Sequence, residues 1–157
     1  MKKSILVLGL GRFGATLATS LCQLGQEVTA VDANAARVDV VKNLVTHALQ
    51  ANVSDERAIS QLGVRNYDCV AVCIGEDIRA SVLAVVMCKE YGAKYVICKA
   101  SDHLHEKLLY KTGADKVFQP EREGAVRLAH SLASQSVLDF IDLSDEYSIN
   151  EVRLPAS

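Results

Sequence analysis

Long apolar runs and an excess of charge of one sign are both missing from this sequence. Its longest apolar stretches, such as SVLAVVMC, are far shorter than the roughly 20 residues that a membrane-spanning helix needs, and no signal peptide precedes the first predicted strand. The net charge is only -2, with acidic and basic residues intermixed. We therefore expect neither direct membrane insertion nor broad binding to nucleic acid or to an acidic bilayer.

The sequence also lacks a CxxC pair, although it contains five cysteines. Most of them lie inside apolar segments such as DCVAVCIG and YVICKA, where a cysteine behaves as a small hydrophobic residue. This pattern is typical of reduced core thiols in a cytoplasmic protein. A redox sensor is the alternative, and the sequence alone does not distinguish the two. The cysteines are Cys22, Cys69, Cys73, Cys88 and Cys98.

No Pro-rich or Ser-rich linker and no low-complexity tract interrupts residues 1–120. Short apolar runs alternate there with helical patterns, and six of the runs are predicted strands: SILVLGL, EVTAVD, THALQA, DCVAVCIG, YVICKA and KVFQ. Strands rich in Val, Ile, Ala and Cys, separated by helical crossovers, are typical of a parallel sheet covered on both faces. We predict an α/β fold with a Rossmann-type, doubly wound, six-stranded parallel sheet of order 3-2-1-4-5-6.

After residue 120 the pattern changes. The stretch GAVRLAHSLASQSVLDFIDL predicts a long helix, and no seventh strand follows directly for it to cover. Such a helix packs either against a partner subunit or back on its own sheet, and the pattern leaves both open. The last stretch, YSINEVRLPAS, begins like a strand; because a lone strand is unstable, we expect it to open a second domain.

The glycines of ILVLGLGRFGATLA predict a phosphate-binding loop. Gly9, Gly11 and Gly14 form a GxGxxG pattern between a predicted strand and a helix, and Asp32 ends the second strand 18 residues after Gly14. Gly9 permits a tight turn, Gly11 lets the backbone approach a phosphate, and Gly14 allows close helix–strand packing. The helix N-terminus offers N–H groups to the anion. Asp32 can accept both ribose hydroxyls and would repel a 2′-phosphate, which disfavours NADP.

Arg12, inside this loop, leaves the nucleotide open. Its guanidinium could meet the terminal phosphate of ATP, where the charge exceeds that of a pyrophosphate. A similar Gly-x-Gly-Arg-x-Gly run nevertheless occurs in glyceraldehyde-3-phosphate dehydrogenases, which use NAD.

Further candidates follow from the rule that ligands of doubly wound sheets lie over the carboxyl ends of the strands. Lys99, at the end of the fifth strand, and His105, one turn into the next helix, could add positive charge; a packed or solvated histidine is the alternative for His105. The candidate cofactor-binding residues are Gly9, Gly11, Arg12, Phe13, Gly14, Asp32, Ala33, Asn34, Asn52, Val53, Ile74, Gly75, Glu76, Lys99, Ala100, Ser101, His105 and Glu121.

Signatures of catalysis are absent from the sequence. We find no Ser-His-Asp arrangement in a suitable context, no cluster of metal ligands and no GxxxxGK[ST] loop. A nicotinamide dehydrogenase also needs a second domain or long loops that bring substrate to the ring, whereas every predicted connection is short. We predict a binding module and not an enzyme. The nucleotide-binding half of an NAD-dependent oxidoreductase and an NADH-responsive redox regulator are the alternatives.

Assembled in this order, the chain resembles the KTN family, also called RCK or TrkA-N, of cytoplasmic nucleotide-binding regulators of potassium transport. The resemblance covers residues 3 to about 154 and is carried by GLGRFGATLA, VTAVDAN, SDERAISQLG, CIGEDIRASVLA, CKASDHLHEKL and TGADKVFQPEREGAVRLA. The run GADKVFQPE, before the last helix, is the most discriminating because general dehydrogenases lack it.

The resemblance implies a regulatory subunit of a potassium uptake channel or transporter that binds ATP or ADP in the Rossmann crevice, with NAD or NADH as the alternative. It further implies homodimers that assemble into an octameric ring beneath an integral membrane potassium-transport subunit, at the cytoplasmic face of the membrane. Its domains would be residues 1–120 for nucleotide binding, 121–144 as a crossover helix and dimer element, and 145–157 as the start of a truncated C-terminal RCK domain.

Residue roles also follow from the resemblance. Arg12 would contact the distal phosphate and Asp32 the ribose. The adenosine side would be lined by Asn34, Asn52 and Val53, and the rest of the ligand by Gly75, Lys99 and His105. Asn52 is a departure, because family members commonly have Asp there.

Glu121, in the run PERE, is the candidate metal ligand. The resemblance implies that it lies at the dimer interface, close to the phosphates of both subunits' nucleotides, and helps to bind Mg²⁺ or Ca²⁺. The alternative is an acid in the first helical turn that the helix dipole favours.

Overall fold

The computed structural model describes residues 1–134, and every structural statement below refers to that range. The chain divides into two compact units, Met1–Gln119 and Pro120–Ser157. In the described range, no helix combines the length and the apolar character that crossing a membrane requires.

The first unit is built on one parallel sheet of six strands in the order β3-β2-β1-β4-β5-β6, which confirms the predicted fold class and strand order. The order reverses between β1 and β4, so the carboxyl ends of these two strands flank the switch point where doubly wound sheets bind ligands. The strands are β1 (Ser4–Leu8), β2 (Glu27–Asp32), β3 (His47–Gln50), β4 (Cys69–Val72), β5 (Val96–Lys99) and β6 (Lys116–Phe118).

Helices connect the strands and cover both faces of the sheet. Side chains of β1 alternate: Ile5 and Val7 join a core cluster that includes Ala18 and Val38, whereas Leu6 and Leu8 join the opposite cluster. Burial on both faces explains why the strands are continuously apolar in sequence. The helices are α1 (Arg12–Gln23), α2 (Ala35–Val41), α3 (Glu56–Leu62), α4 (Ile78–Glu90), α5 (His103–Lys111) and α6 (Pro120–Ser134).

The last helix starts at Pro120, one residue before the crossover helix of residues 121–144 that the resemblance implies and four residues before the apolar stretch at Gly124. Both Glu121 and Glu123 lie in its first turn. Proline suits the first helical position because its missing N–H would have no intrahelical partner there, and acids in the first turn interact favourably with the helix dipole. The predicted continuation of the helix past residue 134 and the predicted strand within residues 145–157 lie outside the described residues.

Candidate functional site

The glycine loop contacts the ends of β2 and β4 and follows β1. The N–H of Gly9 donates to the carbonyl of Val31 at 2.8 Å, and the N–H of Cys73 donates to the carbonyl of Leu8 at 2.7 Å. Gly9 has φ +99°, and a Cβ there would lie 2.7 Å from the carbonyl oxygen of Cys73. A Cβ on Gly14 would overlap the carbonyl oxygen of Gly9. Only glycine fits these two positions, so the loop is held close to the ends of β1, β2 and β4.

The N-terminus of α1 opens directly from this loop and is left uncapped. Gly11 is its N-cap residue, no side chain accepts a hydrogen bond from its first N–H groups, and its first turn contains no acid. Space is also open at Gly11, since a Cβ there would have no neighbour within 4 Å. Unpaired N–H groups at the positive end of a helix dipole form an anion-binding site.

The other helices at this edge of the sheet are capped by their own side chains. Each of α2 to α5 has an Asn or Asp whose side-chain oxygen accepts from an N–H group of the first turn. These N-cap residues are Asn34, Asp55, Asp77 and Asp102. Among α1 to α5, only α1 therefore has no first-turn N–H group bound by the side chain of its own N-cap residue.

The acid predicted to bind ribose is held against the glycine loop. Asp32 is 8% exposed, and its Oδ2 accepts from the N–H of Leu10 at 2.7 Å while its Oδ1 accepts from the N–H of Asn34 at 2.8 Å. The two bonds fix the carboxylate between the loop and the start of α2. Each carboxylate oxygen has further lone pairs, so the group can still accept hydroxyl donors.

Arg37 is a neighbour that the sequence reasoning missed. Its Nη1 lies 3.9 Å from Oδ2 of Asp32, and 56% of its side chain is exposed. The sequence signal for this neighbour was an arginine five positions after Asp32, in the first turn of α2. At this distance and exposure the ion pair contributes little to stability, but it places a cation beside the carboxylate of Asp32.

The end of β4 forms the other wall of the crevice. The N of Ile74 would lie 3.2 Å from a Cβ on Gly9, so this strand end contacts the glycine loop. Gly75 and Glu76, which follow, are exposed. The structure thus brings the candidates of the glycine loop, of Asp32 and Asn34, and of the β4 end together at one edge of the sheet.

Phe13 and Lys99 contact each other on one face of the sheet. The ammonium of Lys99 lies 5.7 Å from the ring centroid of Phe13, and the rings of Phe13 and Phe118 are 5.7 Å apart. Together with Leu17 and Ile97 they line an apolar cavity of about 230 Å³. Phe118 carried no sequence signal for this role, because it meets Phe13 only through the pairing of β5 with β6.

His105 is enclosed and not open to the crevice. Its ring is 1% exposed, Nε2 lies 2.7 Å from Oγ of Ser81, and Nδ1 accepts from the N–H of Ser101 at 3.1 Å. Burial lowers the pKa of His105, while the carboxylate of Asp102 acts in the opposite direction. Direct contact with a ligand would require one of these hydrogen bonds to break. Ser81 was not among the predicted site residues.

The remaining candidates differ in exposure. Asn52 is exposed after β3, and its Oδ1 accepts from the N–H of Ser54 at 3.0 Å; Ala33 is also exposed. Val53 and Ala100 are buried in the apolar core, at 9% and 2% exposure, and only their backbone atoms can face a ligand.

The candidate metal ligand, Glu121, is exposed in the first turn of α6, in the second unit. Within residues 1–134, no group of three His, Cys, Asp or Glu side chains converges on a metal position. Glu121 alone could supply one carboxylate. Magnesium is commonly held by one or two carboxylates together with substrate phosphates, so this residue fits a cation only as part of a nucleotide complex.

All five cysteines are unpaired thiols, and three of them are buried. Burial raises the pKa of Cys73, Cys88 and Cys98 to about 12. These three side chains are therefore protonated and unreactive at neutral pH while the fold is intact.

The parallel sheet, the glycine loop at its switch point and the acid at the end of β2 define a Rossmann-type domain. The TrkA-N domain family matches residues 5–120, and the chain belongs to this family. It is 42% identical to Ktr system potassium uptake protein C of Bacillus subtilis over 97% of this chain and 69% of that protein. It is 43% identical to Ktr system potassium uptake protein A of the same organism, over 96% and 68% of the two chains.

Among solved structures, the Kef C-terminal domain of Shewanella denitrificans in AMP-bound form covers 95% of this chain and 97% of its own, with 16% identity and a TM-score of 0.67. This similarity shows a shared fold. Homology to potassium uptake proteins identifies the chain as a regulatory domain and not an enzyme.

Proposed function

We propose that this chain is the nucleotide-binding part of a cytoplasmic regulatory subunit that controls potassium uptake. The observation that carries the proposal is the uncapped N-terminus of α1, which opens from a glycine loop and lies next to the ordered carboxylate of Asp32. A phosphate group accepts from the free N–H groups, and the ribose hydroxyls donate to Asp32. AMP bound to a protein of the same fold supports an adenine nucleotide as the ligand.

ATP and ADP are the proposed ligands, and they act by binding alone. A ligand shifts a conformational equilibrium only by binding two states with different affinity. Arg12 is exposed at the start of α1, where its guanidinium can reach a γ-phosphate that ADP lacks. This difference would change the angle between paired subunits, and thereby open or close an integral membrane subunit at the inner face of the membrane.

The subunits pair as homodimers that assemble into an octameric ring, with α6 as the crossover element. Val126, Leu128 and Leu132 of this helix are between 43% and 46% exposed, which is apolar surface that a partner can cover. Glu121 precedes them on the same helix and would join a Mg²⁺ or Ca²⁺ ion to the phosphates at the dimer interface.

Calorimetric titration of the nucleotide-stripped protein with ATP, ADP, NADH and NAD, with and without Mg²⁺ or Ca²⁺, tests the proposal. We expect preference for ATP and ADP, and an ATP affinity that depends on the divalent ion and loses that dependence in Glu121→Gln. Glu27→Gln, at the amino end of β2, is the matched control and should keep it.

The role of Arg12 is tested separately. Arg12→Ala should lower the affinity for ATP more than that for ADP, whereas Arg65→Ala, in the turn before β4, should change neither. An unchanged ATP/ADP ratio would remove the role given to Arg12. A clear preference for NADH that is indifferent to metal would favour redox sensing over the proposed function.

A further inference from the structure

The hydrogen bonds of His105 define its tautomer. Nδ1 accepts from the backbone N–H of Ser101 at 3.1 Å, so this nitrogen carries no proton. The proton is then on Nε2, which donates to Oγ of Ser81 at 2.7 Å. The Ser81 hydroxyl in turn donates to the carbonyl of Ile78 at 2.9 Å. Ser81 is fully buried, and the three donors follow one direction, from Ser101 through His105 and Ser81 to the carbonyl of Ile78.

This chain of hydrogen bonds joins two loops at the carboxyl edge of the sheet. Ser101 belongs to the β5–α5 connection, which follows Lys99 and Ala100. Ile78 and Ser81 form the first turn of α4, which follows the loop of Gly75 and Glu76. The acids nearest to these two segments do not link them, because Asp77 and Asp102 each cap their own helix.

We propose that His105 is a positioning residue for the nucleotide: as the Nε2–H tautomer it holds the β5–α5 loop against the first turn of α4, and so fixes the half of the crevice that faces the glycine loop. The proposal rests on the proposed function for its ligand. It replaces direct contact between His105 and the nucleotide with an indirect role, because both ring nitrogens are already engaged.

Protonation of His105 would break this arrangement. A doubly protonated ring has a donor on each nitrogen, so Nδ1–H would oppose the N–H of Ser101. The groups that face the ring from α4 and from the loop are the neutral donors and acceptors of Ser81 and Ser101. Asp102, on its own helix, favours the charged form, and burial disfavours it more strongly. Asp77, at the start of α4, accepts from the N–H of Ala80.

Two substitutions separate the two halves of the ring. In His105→Asn, Oδ1 takes about the place of Nδ1, so the acceptor for Ser101 is kept while the link to Ser81 and the titration are lost. In His105→Gln, the amide reaches toward Ser81, and the N–H of Ser101 loses its acceptor. His103→Gln is the matched control, since 89% of the His103 side chain is exposed on the same helix.

The first measurement is the affinity for ADP between about pH 8 and pH 5, the range in which histidine changes charge. We expect wild type and His103→Gln to bind more weakly as the pH falls. His105→Asn should also bind more weakly at high pH, because the link to Ser81 is lost, and it should lose the part of the pH dependence that the other two share. His105→Gln should bind about tenfold more weakly at high pH, the effect of one unsatisfied donor. Titration of the nucleotide's own phosphate is common to all variants and cancels in the ratios.

The second measurement needs no nucleotide. NMR of the imidazole nitrogens reports the tautomer, and hydrogen exchange of the Ser101 amide reports the loop. We expect the Nε2–H form, with a Ser101 amide that is protected in wild type and His105→Asn and exposed in His105→Gln. Wild-type ADP affinity in both His105 variants, or an unprotected Ser101 amide in wild type, would overturn the proposal. If neither the wild type nor any variant binds ADP, the proposed function fails. Hydrogen exchange of the Ser101 amide then still decides whether His105 holds the loop.

Discussion

Helix α1 and helix α4 begin at the same edge of one sheet, but only α4 has a side chain that caps its N-terminus. The side chain of Asp77 accepts from the N–H of Ala80 at the start of α4, whereas Gly11 offers α1 no side-chain acceptor. Asp77 satisfies a first-turn donor of α4 from within the chain, whereas the first-turn donors of α1 are left to water or to an external anion. In the proposed function, the N-terminus of α1 binds a phosphate because it is uncapped and lies at the switch point, behind a loop that only glycine can form.

The largest effect on stability should come from a side chain that the glycine loop has no room for. Gly14→Ala places a Cβ on the carbonyl of Gly9, and we expect a loss of about 3 kcal/mol in the free energy of unfolding, at the upper end for overpacking. Gly11→Ala enters open space and should cost only the difference between Gly and Ala as N-cap residues, about 0.5–1 kcal/mol. Urea unfolding of both variants measures this. Equal losses would show that the two glycines do not have separate roles.

The next effect concerns the acid beside the loop. Asp32→Ala leaves the N–H groups of Leu10 and Asn34 without their acceptor, and we expect it to cost about 1–3 kcal/mol. The control is Asp39→Ala, in which an exposed acid paired with Lys42 is removed at a cost below about 0.5 kcal/mol. Chemical denaturation of both variants checks the difference. A stable Asp32→Ala variant would mean that water replaces the carboxylate at these donors.

Removing the cap of α4 and adding one to α1 tests the difference between the two helices directly. Asp77→Ala should lower the free energy of unfolding by about 1 kcal/mol, as for other lost caps. Gly11→Asp should raise it by a few tenths of a kcal/mol, since the extended backbone of Gly11 (φ -70°, ψ -165°) suits an N-cap residue. The same Gly11→Asp variant should lose ADP affinity in a calorimetric titration, because a carboxylate then occupies the donors. Retained affinity would contradict the role of the uncapped N-terminus.

The smallest effect is a pH dependence of stability. Because the pKa of His105 is lowered in the folded protein from an ordinary value of 6.5, the unfolded chain binds a proton first as the pH falls. The contribution of His105 is therefore fully present above pH 6.5 and is lost as the pH falls toward its folded pKa. Thermal unfolding of wild type and His105→Asn over this range measures the difference. Parallel curves would show that His105 does not titrate differently in the two states.

The strand order, the glycine loop and Asp32 could be predicted because each depends on a local pattern. Continuous apolar strands, a GxGxxG run and an acid at a strand end all lie within short segments, and one handedness rule orders the strands. The two ends of α3 depend on local patterns in the same way: Asp55 accepts from the first turn, and Gly63 ends the helix in the left-handed region with φ 66°.

Side-chain pairs that join distant segments could not be predicted. Ser81 and His105 are 24 residues apart, and each one alone is an ordinary helix residue. Phe13 meets Phe118 only because β6 pairs with β5 at the far side of the sheet. A buried serine within an apolar helix was the one signal available for Ser81, since a buried hydroxyl requires a partner.

The reactivity of the buried thiols can report transient opening of the fold. Cys73 lies beneath the glycine loop, and Cys88 and Cys98 lie in the core on α4 and β5, with pKa values of about 12. Cys22 and Cys69 are only partly buried, so an alkylating reagent should modify them first, whereas the three buried thiols react only when the fold opens and exposes them. The rate at which Cys73 is alkylated therefore reports how often the glycine loop separates from the end of β4, without any attached probe.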